Sequence, residues 1–204
     1  QLDHQNILGN TIEEIAKEKA GIIKEKTAII SGDENPVVKE IIKQKAFEIN
    51  ADYIDATGIK TDLVSDLKGN YQKKNIRVVL ALVNELRNQA INISNDDVKS
   101  GLLNVHQNTN FIGRWFEFSK NPLTICDTAH SQAGLEEVFK QLNEYAQSKH
   151  IILGFVNDKK IDDVIPMLPS EAQFYFVKPS VGRGRHPEDY DNLLKKSKLN
   201  YKIF

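Results

Sequence analysis

The run Asp127-Thr-Ala-His130-Ser131 places a carboxylate and a titratable imidazole within one turn of chain. Such a pair can contact a phosphate, a ribose or a metal ion. A structural reading weighs the same: Asp127 caps a following helix and His130 is a polar surface side chain. Gly113-Arg114 offers a planar fork of donors suited to phosphate or carboxylate, although an arginine beside a glycine is usually only a solvated charge. Gly182-Arg-Gly-Arg185 is basic and glycine-rich, a candidate anion loop for which a solvated turn is the more economical reading. His4 follows Asp3 and can join a metal site, but five histidines in the chain make a chance pairing ordinary. Lys19, in Glu18-Lys19-Ala20-Gly21, reads on its own as a helix-surface charge. Gln72 and Asn75 bracket two lysines before a helix, where Asn75 suits a cap.

The elements that must position these residues are legible in two textures. Thr11-Ile-Glu-Glu14 is a capping box, and Ile12, Ile15, Ala16 and Lys19 follow at helical spacing up to Gly21. Thr27–Ser31 reads as a strand. Residues 37–49 read as a helix with Pro36 near its start, and residues 53–68 as strand and turn. Helices are expected over 75–87 and over 95–104, the latter capped by Asn95 or Asp96. Residues 105–112 are polar and aperiodic, which suggests a linker. Beyond them strands are expected at 115–118, 123–126, 151–156, 174–177 and 201–204. Helices are expected at 135–146, 160–168 and 188–196. Alternation of this kind predicts βαβ crossovers and a mostly parallel sheet covered on both faces. Asp127 and His130 then fall at the carboxyl end of a strand, where α/β sheets bind ligands.

Composition narrows the classes. With 27 Lys+Arg against 28 Asp+Glu, the chain has no global basic field for nucleic acid. One cysteine excludes an internal disulfide and a cysteine-based zinc site, which suits a reducing cytoplasm. No apolar run reaches the roughly 20 residues of a membrane span, and the opening Gln-Leu-Asp-His has no signal-peptide pattern. A Gly-x-x-x-x-Gly-Lys-Ser/Thr loop, a complete Gly-x-Gly-x-x-Gly, a Gly-x-Ser-x-Gly elbow and a His-Glu-x-x-His helix are all missing from the 204 residues.

Taken in order, the weak signals resemble one family. Leu2-Asp3-His4-Gln-Asn-Ile-Leu8-Gly9-Asn-Thr11-Ile-Glu-Glu-Ile15-Ala16-Lys-Glu18-Lys19-Ala20-Gly21-Ile22 closely resembles the signature of folylpolyglutamate synthase/dihydrofolate synthase, within the Mur ligase superfamily. Gly69-Asn-Tyr71-Gln72-Lys-Lys-Asn75, Gly113-Arg114, Asp127-Thr-Ala-His130 and Leu153-Gly-Phe-Val-Asn-Asp158-Lys159 agree in order. The resemblance implies an α/β fold: the end of a P-loop-type ATPase domain with its linker over residues 1–111, and a Rossmann-like domain over 112–204.

It also implies an ATP-dependent amide ligase. ATP would phosphorylate a carboxylate of a folate or dihydropteroate, and the amine of L-glutamate would attack the acyl phosphate. His4 matches the family's magnesium-binding histidine and Lys19 the lysine carbamylated in this family, whose carbamate is a hard oxygen ligand of the kind Mg²⁺ prefers. Gln72 and Asn75 match positions near the nucleotide. Arg114, Asp127 and His130 match residues that reach ATP from the C-terminal domain. Ser131-Gln132 depart from the family's Asn-Pro. The family's phosphate loop and acidic magnesium ligand precede the signature with which this chain opens, so the segment alone is expected to be inactive. A cytoplasmic monomer is expected, without membrane or nucleic-acid partners. The alternatives are another Mur-type amino-acid ligase, a non-catalytic nucleotide- or substrate-binding fragment, or a small metal hydrolase built on His4, Asp127 and His130.

Overall fold

The computed structural model describes residues 8–157 and 161–204. Thr11 opens helix α1 (Ile12–Ala20) by the reciprocal bonds its sequence predicts. Its hydroxyl accepts from the Glu14 amide at 3.1 Å, and Glu14 Oε2 accepts from the Thr11 and Asn10 amides. The helix stops at Gly21, having buried Ile15, Ala16 and Ala20. A βαβ unit comes next: β1 (Ile29–Ser31), α2 (Pro36–Glu48) and β2 (Tyr53–Asp55), with β1 and β2 parallel and Ile30 opposite Ile54. Pro36 occupies the first turn of α2, where its missing N–H is no loss, and Asn35 Oδ1 accepts from Val37 at 2.9 Å. A 3₁₀ turn (Ala56–Gly58) leads on to α3 (Gln72–Asn88), α4 (Asn95–Leu103) and α5 (Val105–Thr109). Ile76 of α3 meets Val98 and Leu102 of α4 in a small apolar core. The strands β3 (Phe116–Lys120) and β4 (Leu123–Cys126) form an antiparallel hairpin around a cis Asn121–Pro122 bond.

The chain divides into two compact units, Gln1–Cys126 and Asp127–Phe204. The second contains α6 (Gln132–Leu142), β5 (His150–Leu153), β6 (Gln173–Phe176), α7 (Pro187–Leu194) and β7 (Asn200–Ile203). Its three strands are all parallel, in the order β5-β6-β7. Side chains alternate across the pleat. Phe174 and Phe176 of β6 enter a core with Leu135 and Phe139 of α6 and Tyr190 and Leu194 of α7.

The structure corrects several local expectations. Ser94, not Asn95 or Asp96, caps α4, and Asp97 completes a second capping box. The expected linker contains the one-turn helix α5. The strand at 123–126 pairs antiparallel with β3 instead of entering the parallel sheet. In place of one helix over 160–168 stand two 3₁₀ turns, Ile161–Asp163 and Ile165–Met167. Pro166 cannot donate to the carbonyl four residues back, so an α-helix cannot run through it. Among the described residues the sheet in the second unit is covered on one face: Ile152, on the other, is 70% exposed. Crossovers of one hand along an order that never reverses fall on the same side, and the two present, the 3₁₀ turns between β5 and β6 and helix α7 between β6 and β7, both join the core around Phe174 and Phe176. Among the described residues no helix is long and apolar enough to cross a membrane.

Candidate functional site

Gln72 and Asn75 lie in the first turn of α3, and the helix begins a turn earlier than its apolar periodicity suggests. Its entry is tight: the Gln72 amide donates to Gly69 O at 2.9 Å and the Lys74 amide to Tyr71 O at 3.1 Å. A side chain at Gly69 would meet the Tyr71 ring at 2.6 Å, so that ring would have to move to admit one. Asn75 is therefore not a cap. Its Nδ2 donates to Gln72 Oε1 at 2.8 Å, and the Gln72 side chain is buried. With Oε1 accepting, Gln72 turns its amide nitrogen, a donor, to the other side.

The same helix lies across the carboxyl ends of β1 and β2. Glu34 accepts from Lys74 at 2.9 Å and pairs with Arg77 at 3.7 Å, and Arg77 Nη1 donates to Thr57 O. Val78 packs directly on Gly32, where no Cβ would fit. Asp55, which ends β2, accepts from the Thr57 hydroxyl at 2.6 Å, the Thr57 amide at 2.8 Å and Lys39 Nζ at 3.0 Å. The Thr57 bonds first, then Lys39, pull its carboxyl down to about 2. Sequence reasoning missed this polar frame. Its only local trace is the acidic and hydroxyl residues that come after two short strands.

Arg114 Nη1 donates to Gly113 O at 3.3 Å, and its guanidinium carbon lies 6.0 Å from the centre of the Phe111 ring. Gly113 (φ +107°) and Trp115 (φ +52°) flank it in left-handed backbone. Lys19 is exposed in the last turn of α1. His4 lies outside the described residues.

In the second unit, Asp127 Oδ1 accepts from the Ala129 amide at 2.7 Å, an Asx turn, and does not cap α6. Ser131 does, accepting from the Gly134 amide at 3.2 Å. The serine that departs from the family's asparagine thus starts this helix. His130 is exposed, and its Nδ1 lies 3.1 Å from Thr128 O. A carbonyl only accepts, so this contact assigns the proton to Nδ1 and the acceptor lone pair of the neutral ring to Nε2.

The basic loop at 182–185 works as a clasp. Arg183 O accepts from the Asn157 amide, the Arg185 amide donates to Phe155 O, and Arg185 Nη2 donates to Asn157 O at 3.0 Å. An open cleft of about 600 Å³ between α7 and β7 is lined by Asp191, Lys195 and Tyr201 and by none of the sequence-predicted residues. Of those predicted residues, Gln72 and Asn75 are in direct contact, Asp127 and His130 share one loop, and Lys19 and Arg114 stand on separate elements of the first unit. Among the described residues no group of three His, Cys, Asp or Glu is placed to hold a metal ion.

No protein-family model matches the chain. The dihydrofolate synthase/folylpolyglutamate synthase of Bacillus subtilis is 30% identical over 196 residues, covering 83% of this chain and 45% of that protein. The folylpolyglutamate synthase of Lacticaseibacillus casei is 24% identical over 209 residues, covering 90% and 48%. Among solved structures, Escherichia coli FolC in complex with DHPP and ADP superposes with a TM-score of 0.76 at 23% identity, over 100% of this chain and 50% of that one. The chain therefore spans about half the length of the relatives it matches. In sequence and in fold it belongs to the folylpolyglutamate/dihydrofolate synthase family.

Proposed function

We propose that this chain is part of an ATP-dependent ligase that joins L-glutamate to the carboxylate of a folate or of dihydropteroate. In this reading residues 1–111 belong to the central ATPase domain and its linker, and 112–204 to the C-terminal domain. A carboxylate is a poor electrophile. Transfer of the γ-phosphoryl group to one of its oxygens, with ADP leaving, creates an acyl phosphate. The glutamate amine then attacks the acyl carbon, phosphate departs with the bonding pair, and the nitrogen gives up its proton.

Gln72 and Asn75 contribute one oriented amide pair beside the nucleotide. Arg114 supplies a guanidinium for phosphate oxygens. Asp127 holds its own loop by the Ala129 bond, and the lone pair on His130 Nε2 serves as an acceptor for a proton released in the reaction. Mg²⁺, bound through His4 and a carbamylated Lys19, would offset negative charge on the transferred group. The described residues build no cage for it by themselves.

The observation that carries the reading is the long signature ending at Ile22, succeeded in order by the Gln72–Asn75 bond, Arg114 and the Asp127–His130 loop. The test is glutamate-dependent phosphate release from ATP by the full natural protein, with dihydropteroate or a folate as acceptor. His130→Ala and Lys19→Ala should each lower turnover by at least about 100-fold, in the range of a lost general acid–base or transition-state contact. Equal turnover with a nucleotide-linked muramyl acceptor, or ATP binding without turnover, would overturn it.

A further inference from the structure

Helix α5 has no cap of its own. Its first residue is preceded by Asn104, whose side chain makes no cap bond and instead donates back to Ser100 O at 2.8 Å. A residue from far away in the chain supplies the missing acceptor. Asp66 Oδ2 accepts the His106 amide at 2.9 Å, and the Asp66 amide donates to Leu102 O at 3.1 Å. A carboxylate at a helix N-terminus also meets the positive end of the backbone dipole.

The captured histidine in turn anchors the chain leaving α5. His106 Nδ1 lies 2.6 Å from Phe111 O, so it donates there, and the ring packs edge-on against Phe116 at 5.1 Å. Between those two contacts run Phe111 to Trp115, the strap that carries Arg114. Three backbone positions in and beside it, Asn110, Gly113 and Trp115, have φ of +51°, +107° and +52°. Only glycine takes that conformation without cost, and asparagine tolerates it; a buried tryptophan there must be held by its surroundings. Lys68, two residues beyond Asp66, pairs with Glu117 at 2.6 Å on the far side of the strap. The segment holding Asp66 and Lys68 runs directly into the turn that starts α3 with Gln72.

We propose that Asp66 and His106 are positioning residues for Arg114: a brace that fixes the strap against the lead-in to Gln72, so that the guanidinium and the Gln72–Asn75 pair are set in one frame for a nucleoside polyphosphate. The role rests on the reading of Arg114 as a phosphate contact. The brace itself is a matter of geometry.

Trp115 is the only tryptophan of the chain and only 2% exposed, so its emission reports on the strap directly. The experiment measures tryptophan emission and acrylamide quenching in the 204-residue chain, together with calorimetry of ADP in the presence of Mg²⁺ on the full natural protein. The variants are Asp66→Ala, Asp66→Asn, His106→Ala and His106→Asn, with circular dichroism as the folding control. Asp66→Ala and His106→Ala should red-shift the emission, raise quenching at least about 2-fold and weaken ADP binding about 5-fold, the size of one lost cap. Asp66→Asn keeps the acceptor, and His106→Asn keeps a donor toward Phe111 O; both should retain parental emission and affinity within about 2-fold. Unchanged emission in both alanine variants overturns the brace. So does an emission shift in the conservative variants equal to that in the alanine ones. ADP affinity of the full natural protein left unchanged by Arg114→Ala, with the emission pattern as expected, removes the nucleotide role of Arg114 and leaves the brace standing.

Discussion

The Tyr190 hydroxyl accepts the Phe155 amide at 2.8 Å, from a side chain with no solvent exposure. Its one proton faces two carbonyls, Val177 O at 3.3 Å and Phe155 O at 3.4 Å. One phenol on α7 thus ties together the chain leaving β5 and the chain leaving β6. Burial pushes its pKa up, so the group stays neutral and keeps its proton for those carbonyls. Tyr190→Phe keeps the ring packing on Phe176 and strands a buried amide. We expect a loss of about 1–3 kcal/mol, the desolvation cost of one unsatisfied backbone donor, measured by urea unfolding. A smaller loss than about 0.5 kcal/mol would mean that water replaces the hydroxyl.

Helix α3 ends in a Schellman motif built on the wrong residue. The Ala90 amide donates to Arg87 O and the Ile91 amide to Leu86 O, both at 3.0 Å, which requires left-handed backbone at Ala90, and φ there is +63°. Alanine in that conformation costs about 1 kcal/mol that glycine does not. Ala90→Gly should raise stability by roughly 0.5 kcal/mol once the greater freedom of glycine in the unfolded chain is subtracted. A rise in thermal midpoint with unchanged ADP affinity is the expected outcome, because Ala90 stands at the opposite end of α3 from Gln72.

What was legible in the sequence was what is local. The Thr11–Glu14 box, Pro36 at the start of α2 and the strand at 174–177 depend on residues within a turn or a strand, and each forms at or within a residue of where it is read. The errors share one cause. Helix α5 exists because Asp66 caps it from 40 residues away, so no window around 105–109 could show it. Asn75 looked like a cap because a turn of 3₁₀ bonds beginning at Gly69 carries no signature. At the candidate site, residue identities come from the ordered set of motifs, whereas the Glu34–Lys74–Arg77 and Lys39–Asp55–Thr57 contacts are tertiary and leave no mark in any one segment.

Asp55 makes part of that frame sensitive to acid. Its carboxyl is held at about 2, against 3.8 for an ordinary aspartate, by the Thr57 and then the Lys39 hydrogen bonds. A depressed native pKa means that the contribution is complete above the unfolded value and fades as pH falls from about 4 toward 2. Circular dichroism of the first unit should therefore show acid loosening in that window. Asp55→Asn should flatten the pH dependence there while lowering stability at neutral pH, because the lysine loses its counter-charge. An unaltered acid profile in Asp55→Asn would remove the residue from the account.

The Asn75–Gln72 bond makes a sharper prediction, because it concerns direction and not presence. Asn75 Nδ2 is the donor and Gln72 Oε1 the acceptor, which fixes the donor end of the buried Gln72 amide. Asn75→Asp has nearly the same shape but presents only oxygen, so it repels Oε1 and favours the flipped amide. If Gln72 serves the nucleotide as a donor, the flip replaces one hydrogen bond by a lone-pair clash. ADP affinity should then fall about 10-fold, equivalent to about 1.4 kcal/mol, while circular dichroism stays unchanged. Asn75→Ala removes the constraint without reversing it and should cost less. In a Gln72→Ala background, Asn75→Asp should have little further effect, since the amide it reorients is gone. Additive losses across that cycle would show that Asn75 acts on the nucleotide by itself.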